Sequence, residues 1–246
     1  MRIVLLGTTG YHPNERRQTA CLLVPELGLM FDAGTALFRA ARYLATPALD
    51  IYLTHAHLDH VVGLSFLFDV IYEHPLDRVT VHGEPEKLRA IEEHLFAASL
   101  FPTRPPFVPM PLSDPAEYPG GGRLSWFPLE HPGGTMGYRL DFPGHSLAYV
   151  TDTTASRHAP YLEKIRGVDL LIHECYFADD WAQWAGKTGH SCTTPVAQLA
   201  REAGVGRLVL VHLNPLSEEK DPIGLDVARA IFPRTEIGED RMELEF

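Results

Sequence analysis

His55, His57, Asp59 and His60 stand within six residues of one another, in Thr54-His55-Ala56-His57-Leu58-Asp59-His60, directly after the apolar run Ile51 to Leu53. Imidazole and carboxylate are donors that suit zinc and related divalent ions. Donors this dense, on a turn leaving a strand end, converge without long-range help. Three later residues share the context. His131 follows Trp126-Phe127-Pro128-Leu129, Asp152 follows Ala148-Tyr149-Val150-Thr151, and His212 follows Leu208-Val209-Leu210-Val211. Each is a polar residue at the C-terminal end of a strand-like run, where ligand crevices of α/β sheets lie. Together these are five histidines and two aspartates, donors enough for two metal ions. A pair of ions roughly 3.5–4 Å apart activates water and clamps a scissile group.

The elements that must position these donors are legible as apolar runs. Strands are expected at 4–6, 21–24, 28–31, 50–53 and 79–82, with Pro25-Glu26-Leu27-Gly28 as a hairpin turn. Helical spacing marks 35–44, 62–72 and 84–96. Residues 101–115 hold six prolines, which forbid a long helix or a central strand. Phe101, Phe107, Val108 and Met110 make that stretch apolar enough to pack as a crossing between two halves. Beyond it, strands are expected at 124–128, 137–141, 147–151, 170–173 and 208–211, with helices at 160–165, 195–203 and 222–231. Strands lead each half and helices follow, so the class is α/β with mixed sheets.

Composition narrows the setting. The 246 residues are 45% hydrophobic and carry 21 basic against 32 acidic side chains, a net charge of -11. That balance argues against broad, sequence-independent binding to a phosphate backbone, which relies on Lys and Arg. Cys21, Cys175 and Cys192 are the three cysteines. An odd, sparse count points away from a disulfide framework and towards a reducing cytosol. No run approaches the ~18 apolar residues of a membrane span, and the apolar start is too short for a signal peptide. A cytoplasmic protein with no membrane partner is the expectation.

The ordered set His55-x-His57-x-Asp59-His60, His131, Asp152 and His212 resembles the metallo-β-lactamase superfamily. Asp32, in Phe31-Asp32-Ala33-Gly34, matches that family's early aspartate. The resemblance spans nearly the whole chain. It implies a four-layer αβ/βα sandwich, one hydrolase domain over 1–246 with pseudo-symmetric halves of about 1–115 and 116–246. It implies that His55, His57 and His131 hold one divalent ion, that Asp59, His60 and His212 hold the other, and that Asp152 bridges them. Asp32 would support the histidine loop, and Asp59 would also orient the hydroxide or shuttle its proton. Zinc is the default metal, with manganese or iron able to use the same ligands.

Leu171-Ile172-His173-Glu174-Cys175-Tyr176-Phe177, followed by Gly189-His190-Ser191, resembles the ribonuclease Z branch and its phosphodiesterase relatives. The resemblance implies that His190 stands near the scissile phosphate and that Glu174 orients it. A carboxylate bonded to an imidazole favours its cationic form, which can protonate a leaving oxygen or stabilise developing charge. His173 reads as a packing residue. Leu6-Gly7-Thr8, Arg17 and Gly137-Tyr138-Arg139 also resemble that branch. Arg139 is either a phosphate contact or an exposed strand residue. Arg16, Arg17, Arg104, Arg157 and Lys187 are the cations that could border a cleft.

Two features depart from the branch. Asp152 comes only twenty-one residues after His131, which leaves no room for the long arm that grips the tRNA elbow in tRNA-processing members. The acidic balance is the second. The expected function is a dinuclear-metal-dependent hydrolase of the ribonuclease Z-like phosphodiesterase type, in which metal-bound hydroxide attacks a small phosphodiester or an RNA 3′ end. Alternatives on the same site are a glyoxalase II-like thioesterase or lactonase, or a non-catalytic metal- or nucleotide-binding sensor. The resemblance further implies a homodimer.

Overall fold

The computed structural model describes residues 1–217 and 219–246. The chain divides into two compact units, Met1–Ser113 with Glu239–Glu245, and Asp114–Gly238 with Phe246.

Among the described residues, the first unit is built on a seven-stranded sheet. Its strands are β1 (Arg2–Gly7), β2 (Cys21–Val24), β3 (Leu29–Phe31), β4 (Ala48–Tyr52), β5 (Arg78–Gly83) and β6 (Val108–Pro111), joined by a C-terminal strand, Met242–Glu245. That last strand pairs antiparallel with β1. β1, β2 and β3 are antiparallel, whereas β3 to β6 run parallel. One face of these strands, including Val4, Leu23, Met30, Ile51 and Val81, packs with Leu37, Leu64, Leu67 and Val70 in one apolar core.

The second unit repeats the plan. Its strands are β7 (Ala116–Tyr118), β8 (Gly122–Leu129), β9 (Thr135–Phe142), β10 (His145–Val150), β11 (Leu170–Glu174), β12 (Arg207–Val211) and β13 (Thr235–Ile237); the C-terminal strand of the first unit is thus β14. β7 to β10 are antiparallel neighbours, and β10 to β13 run parallel. Phe127, Val150, Leu171 and Leu210 pack with Val196, Leu199 and Ala200 of the helix Thr193–Ala203.

The strands follow the apolar runs, and the differences have local causes. The stretch 35–44 forms 3₁₀ turns over Thr35–Arg42, opened by reciprocal hydroxyl–amide bonds between Thr35 and Thr19. The expected helix 62–72 is broken into Leu58–Val61, a 3₁₀ segment Val62–Phe66, and Leu67–Glu73. The helix expected over 84–96 is α from Pro85 to Ala90 and then widens into a π turn, Ile91–Leu95. The final helix begins only at Leu225, after Gly224 at φ +76°. β6 lies in the proline-rich crossing, at the sheet edge, the position that tolerates Pro109 and Pro111. β7, β13 and β14 are short strands with weak apolar alternation.

Candidate metal centre

In the first unit the site starts at Asp32, buried and in the left-handed region at φ +58°. Its turn after β3 aims the carboxylate under the histidine loop. One oxygen accepts from the Thr54 amide at 2.8 Å, and the other accepts from His60 Nδ1 at 2.8 Å. The Thr54 hydroxyl also donates to Asp32, at 2.9 Å. Its single hydrogen is thereby used, so towards His55 Nδ1, 3.0 Å away, the same oxygen acts as acceptor. Both imidazoles therefore carry their proton on Nδ1 and present Nε2 as the donor atom. The hydrogen-bond partner behind each imidazole thus sets its tautomer. His60 Nε2 stands 3.3 Å from Asp59 Oδ2. The rings of His57 and His60 lie 4.4 Å and 4.3 Å from that of His55. The backbone closes tightly around the loop. Ala33 donates to the His60 carbonyl at 2.7 Å, and a Cβ on Gly34 would meet the Asp59 carbonyl at 2.3 Å.

In the second unit, His131, Asp152, Glu174 and His212 all stand at or just beyond strand C-terminal ends. Asp152 and His212 are again left-handed, at φ +51° and +54°. Such strain in non-glycine residues collects at functional sites. Asp152 turns one oxygen towards each of two imidazoles. His131 Nε2 is 3.7 Å from Oδ1, and His212 Nε2 is 3.4 Å from Oδ2. All three side chains are buried. His131 Nδ1 donates to the Gly189 carbonyl at 3.1 Å, so its Nε2 again bears the lone pair. Gly189 is left-handed at φ +77°, and a Cβ there would press on Pro132 and on His131 itself.

Glu174 is wholly buried at the end of β11. It accepts from the Thr153 amide at 2.7 Å, from the Ser191 amide at 3.1 Å and from His190 Nδ1 at 3.1 Å. Nδ1 being committed to Glu174, Nε2 is the His190 nitrogen that can meet an incoming group. The imidazole stacks on Tyr176 at 4.7 Å and near-parallel to His212 at 5.4 Å. A donor atom of each of Asp152, His190 and His212 lies within 4.8 Å of the others. Ser191 completes the clamp, giving its hydroxyl to the Thr153 carbonyl at 2.6 Å.

The donor chemistry fits a divalent cation. Nε2 lone pairs of His60 and His131 face carboxylate oxygens, an arrangement that is repulsive between neutral imidazole and carboxylate and that a cation makes attractive. Buried carboxylates need such a counter-charge.

Other residues have different roles. His173 is buried and neutral: Nδ1 donates to the Glu174 carbonyl at 2.7 Å, and Tyr161 donates to Nε2 at 2.9 Å. Burial pushes its pKa down and that of Tyr161 up. Arg139 is held by Asp141 and by the carbonyls of Lys164 and Arg166. Arg17 is buried against Thr8 and Glu239, its pKa lowered by desolvation. Arg16 pairs with Glu239, and Arg104 with Glu92. Tyr11 and Tyr176 stand out only in the structure. Tyr176 lies within the quoted Glu174-Cys175-Tyr176 run, two residues past Glu174, which was its one available signal; Tyr11 had none.

A family profile described as "Beta-lactamase superfamily domain" matches residues 29–213, well over half of the chain. Ribonuclease Z of Salinibacter ruber is 31% identical, with 99% of this chain and 94% of that one covered. That alignment runs over 307 positions, so the relative carries residues with no counterpart among these 246. Two solved structures share the fold. The metallo-β-lactamase fold protein YhfI from Bacillus subtilis has a TM-score of 0.78 at 20% identity, covering 99% of both chains. The short form of human tRNase Z has a TM-score of 0.75 at 20% identity, covering 100% of this chain and 99% of that one. The α/β sandwich of that fold is therefore the architecture of this protein. On the profile and the Salinibacter relative, the chain belongs to the β-lactamase superfamily and is a ribonuclease Z-like, metal-dependent phosphodiester hydrolase.

Proposed function

We propose that the protein hydrolyses the phosphodiester at an RNA 3′ end, or a small phosphodiester, with two divalent ions. His55, His57, Asp59, His60, His131, Asp152 and His212 are the ligands in this reading, and the two units act as one hydrolase domain. Zinc is the first metal to test. The observation that carries the reading is the Glu174–His190 pair beside Asp152 and His212. A phosphodiester gives that carboxylate-braced imidazole a phosphoryl oxygen to bond and a departing alkoxide to protonate.

When bound, such ions supply Lewis-acid activation of water and neutralise charge on the phosphoryl oxygens. The chain's own residues do the rest. Asp59, held by the Tyr11 amide at 2.7 Å, accepts the proton released as water attacks phosphorus. His190 donates from Nε2 to the leaving oxygen as its bond to phosphorus breaks. Glu174 keeps that imidazole oriented through the bond from Nδ1. Asp32 and the Gly189 carbonyl lock ring orientations in advance, so the donors need not reorganise during the step.

The residues between His131 and Asp152 are spent on a Pro-Gly-Gly turn, β9, the turn Pro143-Gly144 and β10. With no arm in this interval, a single-stranded 3′ end is the form of RNA the reading favours. Exposed Phe68 stacked on Phe101, with Tyr72 and Leu100, supports a homodimer in solution; light scattering would reveal a monomer if this is mistaken. A cytoplasmic setting is part of the same reading; no helix among the described residues is long and apolar enough to cross a membrane.

The test is a side-by-side assay. Zinc- and manganese-loaded protein meets an aryl phosphodiester, a 3′-extended RNA and a glutathione thioester, with Asp59→Ala as the blank. Turnover of the diesters, lost in the blank, is expected. Thioester turnover without diester turnover would overturn the reading.

A further inference from the structure

Tyr11 joins an exposed ring to a constrained backbone. The residue is 73% exposed, yet it sits at φ +60°, where bulky side chains are rarely found. Its amide donates to Asp59 Oδ2 at 2.7 Å, which ties this loop tip to the histidine loop. The base of the same loop is fixed as firmly. The amides of Thr8 and Thr9 both donate to the Gln18 carbonyl, at 2.9 and 3.0 Å. Asn14 Oδ1 accepts from the amides of Arg16 and Arg17. Asp240 accepts from the Thr8 hydroxyl and the Gln18 amide, each at 2.8 Å. His12 backs the Tyr11 ring edge-on at 5.2 Å.

The outcome is an exposed aromatic ring carried on a constrained loop tip whose own amide is bonded to Asp59. Leu58, the residue before Asp59, is also exposed. An ordinary surface tyrosine needs neither left-handed strain nor a bond into a candidate metal loop. Strain of this kind persists where the surrounding structure over-determines it, as at ligand clamps. Tyrosine gives a large stacking face at little entropic cost. Arg16 and Arg17 of the same loop are occupied by Glu239, so affinity here comes from a ring face and not from cations on phosphate.

We propose that the Tyr11 ring is a stacking platform for the nucleobase flanking the scissile phosphodiester. The inference rests on the phosphodiesterase reading and names the substrate class more narrowly: a nucleotidic diester, with little preference among bases, since every base offers a π face.

Two chromogenic substrates with one leaving group test it, the p-nitrophenyl ester of thymidine 5′-monophosphate and methyl p-nitrophenyl phosphate. In Tyr11→Ala the preference for the nucleoside ester falls about five- to hundredfold, the range that loss of one stacked base implies. The loss is expected in KM with kcat held, because stacking is felt equally in ground and transition states. Tyr11→Phe keeps the preference and Tyr11→Leu loses it. An equal loss on both substrates would make Tyr11 a support for Asp59 alone and overturn the proposal, as would no loss on either. Calorimetric binding of thymidine 5′-monophosphate reads the subsite without turnover: weakening in Tyr11→Ala supports the platform, and unchanged affinity overturns it. Absence of any diester turnover in the wild type would count against the hydrolase reading, while this binding measurement still decides the role of Tyr11.

Discussion

Asp32, Asp152 and His212 are non-glycine residues in the left-handed region, and each directly or nearly follows a strand end. Their types and positions were readable from sequence; their strain was not, since φ depends on what packs around the turn. The same holds for tautomers. Nothing local in His131 says that Nδ1 is spent on the Gly189 carbonyl, fifty-eight residues away. For His190→Ala the expected result is a fall in kcat of about 10²–10⁴-fold, the usual worth of a general acid, with metal content by elemental analysis unchanged. A parallel loss of metal would make His190 a ligand instead. Glu174→Gln should cost nearly as much, because an amide cannot accept at both atoms from the Thr153 and Ser191 amides and from His190. His173 gives a pH signature. Burial depresses its pKa below 6.5, so the unfolded chain binds its proton more readily than the native one. Its neutral form supports folding fully above the unfolded value, and this contribution is lost as pH falls below it. In thermal melts from pH 7.5 to 5, His173→Asn should flatten the decline of Tm relative to wild type.

At the scale of elements, the apolar runs predicted most strands and the helix over 195–203, and missed the breaks within 35–44, 62–72 and 84–96. The interruption of Leu58–Glu73 has a steric source: a Cβ on Gly63 would lie 2.1 Å from the Gly34 carbonyl, so this segment runs against the Asp32 turn. Helical periodicity registers the buried face but not that approach. Gly34→Ala should therefore displace the histidine loop and lower bound metal by at least one equivalent, measured by elemental analysis. The loop 8–18 hangs on the short connection before β14. Asp240 accepts from Thr8, Gln18 and Arg39 with only 7% of its side chain exposed. Asp240→Ala leaves the near-buried Arg39 guanidinium uncompensated, and about 3 kcal/mol of stability should be lost. Hydrogen exchange would then rise across residues 8–18 first.

For the whole molecule, charge is the property that bears most directly on RNA. With a net charge of -11, and with Arg16, Arg17, Arg104 and Arg139 committed to internal partners, affinity for a 3′-extended RNA should depend weakly on salt. A log–log slope of about -1 to -2 is expected, at ~0.7 per phosphate neutralised on a single strand; a steep slope in a filter-binding titration would reveal a cationic track. By itself the sequence determined the donor types, their order, the strand ends that carry them and the branch of the superfamily. All of these are encoded in neighbouring residues: a run of apolar side chains, then a histidine or aspartate. Only the tertiary structure decided which nitrogen each imidazole presents, which arginines are spent, and that Asp240 pins Thr8 from 232 residues away. Those choices are made by hydrogen-bond partners and steric limits between segments far apart in the chain, and no local pattern of residues specifies them.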